Sequence, residues 1–146
     1  MQPLTYYNEK INMGISLTLC LLWMYAASAK ILEYEQFETQ ISQVPFLKPF
    51  AGILVWIIPF LEYSLAALLL VSKTRWSGLI GSTILISVFT VYIAGMISFN
   101  PELPCSCGGI INNLTWQQHL VFNLFFTAVA YWGCYRYHRI RQINRK

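Results

Sequence analysis

The sequence predicts an all-α polytopic membrane protein: one domain, residues 1–146, folded as a bundle of four transmembrane helices. Two observations favour this class. Of the 146 residues, 56% are hydrophobic and only 11% are charged, whereas soluble domains carry about 25% charged residues. The apolar residues are also gathered into four long runs, which leave too little polar surface for a soluble fold.

The four runs are predicted to form helices at about 11–32, 49–72, 76–100 and 118–136. A transmembrane helix needs about 20 mostly apolar residues, and an open chain satisfies its backbone groups in lipid only as a helix. The second run contains Pro59, which should kink the helix or free a carbonyl. In the third run, Gly78 and Gly81 should allow a close helix contact. The fourth run is the most polar, because it carries His119 and Asn123.

The first run could also be a signal peptide, because Ala27-Ser28-Ala29 resembles a cleavage site. However, Glu9 beside Lys10 removes the positive charge of such a leader. The apolar stretch is also longer than the roughly 7–15 residues usual for that region. We therefore expect the segment to be retained as the first transmembrane helix.

The basic residues predict that both termini are cytoplasmic, because lysine and arginine collect in cytoplasmic loops. With the N-terminus inside, eight of the ten basic residues are inside. They are Lys10, Lys73, Arg75, Arg136, Arg139, Arg141, Arg145 and Lys146. Their position beside apolar helices indicates a lipid bilayer as partner and no nucleic acid. A multi-pass protein of the bacterial cytoplasmic (inner) membrane is expected.

This orientation puts Cys105 and Cys107 in a loop on the outer, oxidising side, where disulfide chemistry is permitted. A Cys-x-Cys bridge closes a small, strained ring, and labile bridges tend to be catalytic or regulatory. A redox-active pair is therefore one interpretation. The alternatives are a structural bridge or idle thiols, and a soft-metal site such as Cu(I) on two thiolates. Cys20 and Cys134 are expected to be buried structural thiols.

Three further side chains are candidate site residues. Glu62 lies near the middle of the second run, where a carboxylate is costly and is a functional candidate, either protonated or paired. Lys30 lies near the outer end of the first run, so snorkelling to the surface is its simplest interpretation. Contact between Lys30 and Glu62 is the alternative. His119 could transfer protons near the cysteine loop, although an interfacial polar role is the simpler interpretation, and Asn123 should bond across helices.

Three short motifs resemble the MauE/DoxX family of redox-associated membrane proteins, and the cysteine loop resembles its methylamine-utilisation branch. They are Ala29-Lys30-Ile31-Leu32-Glu33-Tyr34-Glu35-Gln36-Phe37, Pro59-Phe60-Leu61-Glu62 and Cys105-Ser106-Cys107-Gly108-Gly109. The loop departs from the branch's Cys-Gly-Cys-Phe-Gly element, because Ser106 replaces a glycine and Gly108 replaces an aromatic residue. The resemblance implies a four-helix bundle in the cytoplasmic membrane. It also implies a role beside thioredoxin-like proteins in maturing disulfide-bearing periplasmic enzymes, with methylamine dehydrogenase as the client in that branch.

The leading hypothesis is thus a redox accessory protein that uses Cys105 and Cys107 for thiol–disulfide exchange. Whether this makes it an enzyme, a thiol–disulfide oxidoreductase, stays open. A quinone-linked thiol oxidoreductase is one alternative, although known four-helix examples generally use two outer dithiol pairs. A non-enzymatic scaffold or soft-metal-binding subunit is another. No cofactor is predicted, with quinone as the one candidate left open.

Overall fold

The computed structural model describes residues 2–99 and 116–143, and its regular structure is entirely helical. The elements are α1 (Gln2–Leu32), α2 (Tyr34–Ser42), a 3₁₀ turn (Lys48–Phe50), α3 (Ala51–Leu70), α4 (Arg75–Phe99) and α5 (Trp116–Ile143). The all-α prediction is confirmed. α1 begins at Gln2 rather than near residue 11, and α5 continues to Ile143 rather than 136. The predicted bounds followed apolarity alone, but a nucleated helix gains one hydrogen bond per added residue and can continue through polar sequence.

The four long helices form an antiparallel ring in the order α1, α3, α4, α5. Between α4 and α5, for example, Trp76 stacks on Tyr137, and Thr90 hydrogen-bonds Thr127 at 3.1 Å. The end of the bundle at which the C-termini of α1 and α4 lie is called the cavity end. The opposite end, near the α3–α4 turn, is called the closed end. α3 and α5 both begin at the cavity end, so each helix runs opposite to its two neighbours in the ring.

Close packing of α3 against α4 marks the closed end, as the two glycines predicted. A Cβ atom on Gly78 would lie 2.9 Å from the Leu69 backbone nitrogen, and one on Gly81 would meet the Leu65 side chain. Both helices contribute to the main apolar core, in which Leu19 and Leu79 are completely buried. α3 continues through Pro59, which is itself buried. This end of the bundle is therefore tightly packed.

A short helix, α2, occupies the segment between the first two predicted spans, 11–32 and 49–72. The four predicted helices did not include it, because the search for apolar runs of about 20 residues overlooks a nine-residue helix. Ile41 and Val44 are buried and Phe37 is half-buried, at the i, i+4, i+7 spacing of an amphipathic helix. Tyr34 also stacks on Trp56 of α3. α2 thus packs onto the cavity end of the bundle.

The outer face of the bundle is apolar, as expected for a protein in lipid. Among the described residues, three helical segments are long and apolar enough to cross a membrane: Glu9–Leu32, Lys48–Leu70 and Arg75–Ser98. Large apolar side chains point outward from them, such as Leu21 and Phe60. The protein is therefore a multi-pass membrane protein. The fourth span, 118–136 within α5, and the cytoplasmic location of both termini stay predictions.

Candidate functional site

An ion pair joins Lys30, in the last turn of α1, to Glu62, in the middle of α3. Lys30 Nζ lies 2.7 Å from Glu62 Oε1, with the two side chains 12% and 0% exposed. Nζ also lies 3.4 Å from the carbonyl of Ala26, one turn back along α1. The lysine therefore turns into the bundle, and the expectation that it snorkels to the surface was wrong. Glu62 is paired, which was one of its two predicted states.

Two aromatic rings complete the surroundings of the lysine ammonium group. Lys30 Nζ lies 5.7 Å from the ring centre of Phe37 on α2 and 5.4 Å from that of Phe89 on α4. A cation within about 6 Å of an aromatic face is attracted by the ring quadrupole. The ammonium group thus contacts one carboxylate and two ring faces, which together replace much of the water it gave up.

Three buried polar atoms near this pair have no hydrogen-bond partner among the described residues. They are Glu62 Oε2, Tyr25 Oη and Gln40 Nε2. Leaving a buried donor or acceptor unsatisfied costs about 1–3 kcal/mol, so three in one place require an explanation. Each unsatisfied group in a native structure points to strain, function or a missing water or ligand.

All three atoms belong to residues that line one cavity of about 250 Å³. α1 contributes Tyr25 and Lys30 to its wall, α2 contributes Gln40, and α3 contributes Glu62. The rest of the lining is largely apolar and aromatic, and includes Phe37, Phe89, Tyr92 and Phe122. An apolar pocket with a few convergent polar groups is the usual form of a small-molecule site.

His119 and Asn123, near the start of α5, also line this cavity and are buried. The sequence predicted His119 to be interfacial or a proton carrier, and the structure places it on the lining of the same cavity as the ion pair. The Nδ2 of Asn123 donates to the carbonyl of His119 at 3.3 Å. This bond lies within α5, whereas the sequence predicted one between helices. Thus Lys30, Glu62 and His119, three of the five predicted site residues, meet at one cavity.

The other two predicted residues, Cys105 and Cys107, lie outside the described residues. Cys20 and Cys134 are free thiols. Cys20 belongs to the buried core, and Cys134 packs against it with its sulfur 3.3 Å from the Thr83 hydroxyl. Cys20 is buried, as the sequence predicted, whereas Cys134 is only partly buried.

Sequence reasoning missed Tyr25, Gln40, Phe37 and Phe89. A usable signal existed for two of them, since the helical spacing of Phe37, Ile41 and Val44 places Gln40 beside the apolar stripe of α2. Tyr25 and Phe89 lie within long apolar runs, where an aromatic residue is usually core. Only the packing of α1 and α4 within the bundle shows that both reach the cavity.

The fold and site define a helical multi-pass membrane protein with a buried ion pair on the wall of a cavity between its helices. The model of the methylamine utilisation protein MauE family matches residues 8–136, which is most of the chain. The chain therefore belongs to the MauE family, as its motifs indicated, and this family associates it with methylamine utilisation. Searches of the curated proteins and of the solved structures gave no match.

Proposed function

We propose that the protein is a redox accessory protein of the cytoplasmic membrane that exchanges disulfide bonds with periplasmic proteins. Cys105 and Cys107 form its reactive pair on the outer side of the membrane. The partner is a thioredoxin-like or disulfide-bearing periplasmic protein, with a methylamine dehydrogenase-like enzyme as the expected client. In this arrangement both termini are cytoplasmic and the chain crosses the membrane four times.

The family match carries the proposal, because it extends over both cysteines as well as the helical framework. The helix order supports it further. α4 finishes at Phe99 and α5 starts at Trp116, and these helix ends are both at the cavity end of the bundle. The segment that bears the two cysteines therefore joins helix ends on the same side as Lys30, Glu62 and His119.

The exchange itself needs only sulfur chemistry. A thiolate of the client attacks the Cys105–Cys107 disulfide and forms a mixed disulfide, releasing one of the two cysteines as a thiolate. The second client thiolate then attacks the mixed disulfide. The client gains a disulfide, and two electrons pass to Cys105 and Cys107, which take up two protons as they become thiols. An oxidant must later restore the pair.

Trapping tests this proposal. With Cys107→Ser, the Cys105 thiolate can still attack a disulfide of the client, which forms a mixed disulfide and releases one client thiolate. Because Cys107 is then missing as the second thiol that would complete this reverse exchange, a covalent complex with the periplasmic partner should accumulate. The complex should be visible as a reducible band in non-reducing gels of membranes, and mass spectrometry should identify a disulfide-bearing periplasmic protein in it. The reciprocal Cys105→Ser variant shows which of the two sulfurs forms the mixed disulfide with the partner.

Cys134→Ser is the matched control, because it removes a thiol from the helical core. It should trap nothing and leave the exported client fully oxidised. The proposal fails if neither single-cysteine variant traps a partner and the Cys105→Ser, Cys107→Ser double variant leaves the client's disulfides complete. Labelling of Cys105 only from the cytoplasmic side would contradict it as well.

A further inference from the structure

Three buried polar atoms on the lining of the cavity, from Tyr25, Gln40 and Glu62, have no hydrogen-bond partner among the described residues. We propose that the cavity binds the head group of a membrane quinone, a flat ring that carries two carbonyl oxygens. The binding site consists of Tyr25, Lys30, Gln40 and Glu62, with aromatic side chains around the ring.

The size of the cavity suits a substituted ring. An engineered apolar cavity of about 150 Å³ in another protein binds benzene, whereas this one measures about 250 Å³. The difference leaves room for the two oxygens and for small ring substituents. The walls provide flat contacts, since Phe37, Phe89 and Phe122 belong to three different helices.

The polar atoms match a quinone in both oxidation states. The Gln40 amide and the Tyr25 hydroxyl can each donate to a carbonyl oxygen of the oxidised ring. After reduction, the quinol carries two hydroxyl groups, and Glu62 Oε2 can accept a hydrogen bond from one of them. Glu62 is completely buried, and its Oε1 already accepts from Lys30. The ion pair therefore fixes the carboxylate and leaves one oxygen for the ligand.

A lipid-soluble ligand has a route into this cavity. Val88 of α4 lines the cavity and is nevertheless 57% exposed on the outside of the bundle. The cavity therefore reaches the lipid-facing surface beside α4. An isoprenoid tail can leave the site there and lie among the acyl chains while the ring stays inside.

Binding of a quinone would supply the oxidant that thiol exchange requires, and this part of the inference rests on the proposed function. The dithiol of Cys105 and Cys107 would give up two electrons and two protons and become a disulfide. The quinone would take up the same two electrons and two protons and become a quinol. The binding site itself depends on none of the cysteines.

Photolabelling of the purified full-length protein tests the site. The probe is an azido-benzoquinone with one isoprenoid unit, with a short-chain benzoquinone as competitor. Labelling should saturate, and mass spectrometry should map it to peptides of α1, α2 or α4 that line the cavity. Gln40→Met removes one neutral hydrogen bond and should therefore weaken binding of the quinone probe roughly three- to tenfold. Ala26→Leu, which fills part of the cavity, should abolish saturable labelling.

Gln36→Met is the matched control, because Gln36 is exposed on the same short helix and should leave labelling unchanged. The Cys105→Ser, Cys107→Ser double variant should bind the probe normally, which separates this inference from thiol exchange. Absence of saturable labelling in the wild-type protein would overturn the inference and indicate a cavity that holds only water. Equal labelling of the wild type, Gln40→Met and Ala26→Leu would overturn it too.

Discussion

The buried ion pair predicts an asymmetric response to removing each partner. Lys30→Met leaves a fully buried carboxylate with neither oxygen bonded to a donor among the residues that the structure describes, and breaking a buried pair in this way costs about 3–5 kcal/mol. Glu62 cannot move its charge to water from the middle of α3. We therefore expect Lys30→Met to lower the free energy of unfolding by about 4 kcal/mol.

Glu62→Leu should cost less, because Lys30 retains two aromatic neighbours and its side chain is already 12% exposed. The freed ammonium group can turn to the nearby end of the bundle, as a lysine near a membrane surface does. We expect a loss of about 2 kcal/mol, below the usual range for a broken buried pair. The double variant should lie within about 1 kcal/mol of the wild type, since apolar replacement of both partners is often neutral.

These differences can be measured by heating the protein in detergent and recording, at each temperature, the fraction that elutes as a monodisperse peak. For a chain of this size, about 4 kcal/mol corresponds to a Tm lower by roughly 8–16 °C. Lys48→Met is the matched control, because Lys48 is exposed at the same end of the bundle. Losses that simply add in the double variant, or a larger loss for Glu62→Leu than for Lys30→Met, would refute the reasoning.

Two further predictions concern packing at the closed end and in the middle of the bundle. Gly78→Ala places a methyl group 2.9 Å from backbone nitrogen of α3 and should lower the Tm. Gly95→Ala, which meets nothing within 4 Å, should raise it slightly, because alanine stabilises a helix by about 0.5–1 kcal/mol over glycine. Trp23→Phe removes the 2.9 Å hydrogen bond to the fully buried Ser82. This substitution should lower the free energy of unfolding by about 1–3 kcal/mol, measured by the same assay. Trp56→Phe, on the exposed face, should lower it little, and equal losses for the two variants would contradict this prediction.

The helical framework could be predicted because lipid leaves the backbone few choices. Long apolar runs located α3, α4 and the C-terminal end of α1 within a few residues, and the glycine pair indicated the close contact between α3 and α4. The short helix α2 escaped the search since its nine residues have the wrong length for a span, although its apolar spacing was visible.

The site could be predicted only in part, because its geometry is non-local. A charge at membrane depth singled out Glu62 from sequence alone. The direction of Lys30 could not be determined in this way, because snorkelling outward and turning inward use the same side chain and the same helix position. The helical spacing of α2 places Gln40 beside the apolar stripe, but only the packing of α2 onto α3 brings it to the cavity. Cys105 and Cys107 stay a prediction from sequence and family.

The two ends of α4 have different surroundings, so substitutions at the two ends should have different effects. Near Gly78 the helix touches the α3 backbone, so changes there alter how firmly the bundle holds together and leave the cavity's chemistry alone. Near Tyr92 the same helix lines the cavity, so a change of side chain there alters the shape and chemistry of the cavity. Variation along one helix can thereby tune which molecule the protein accepts without unfolding it.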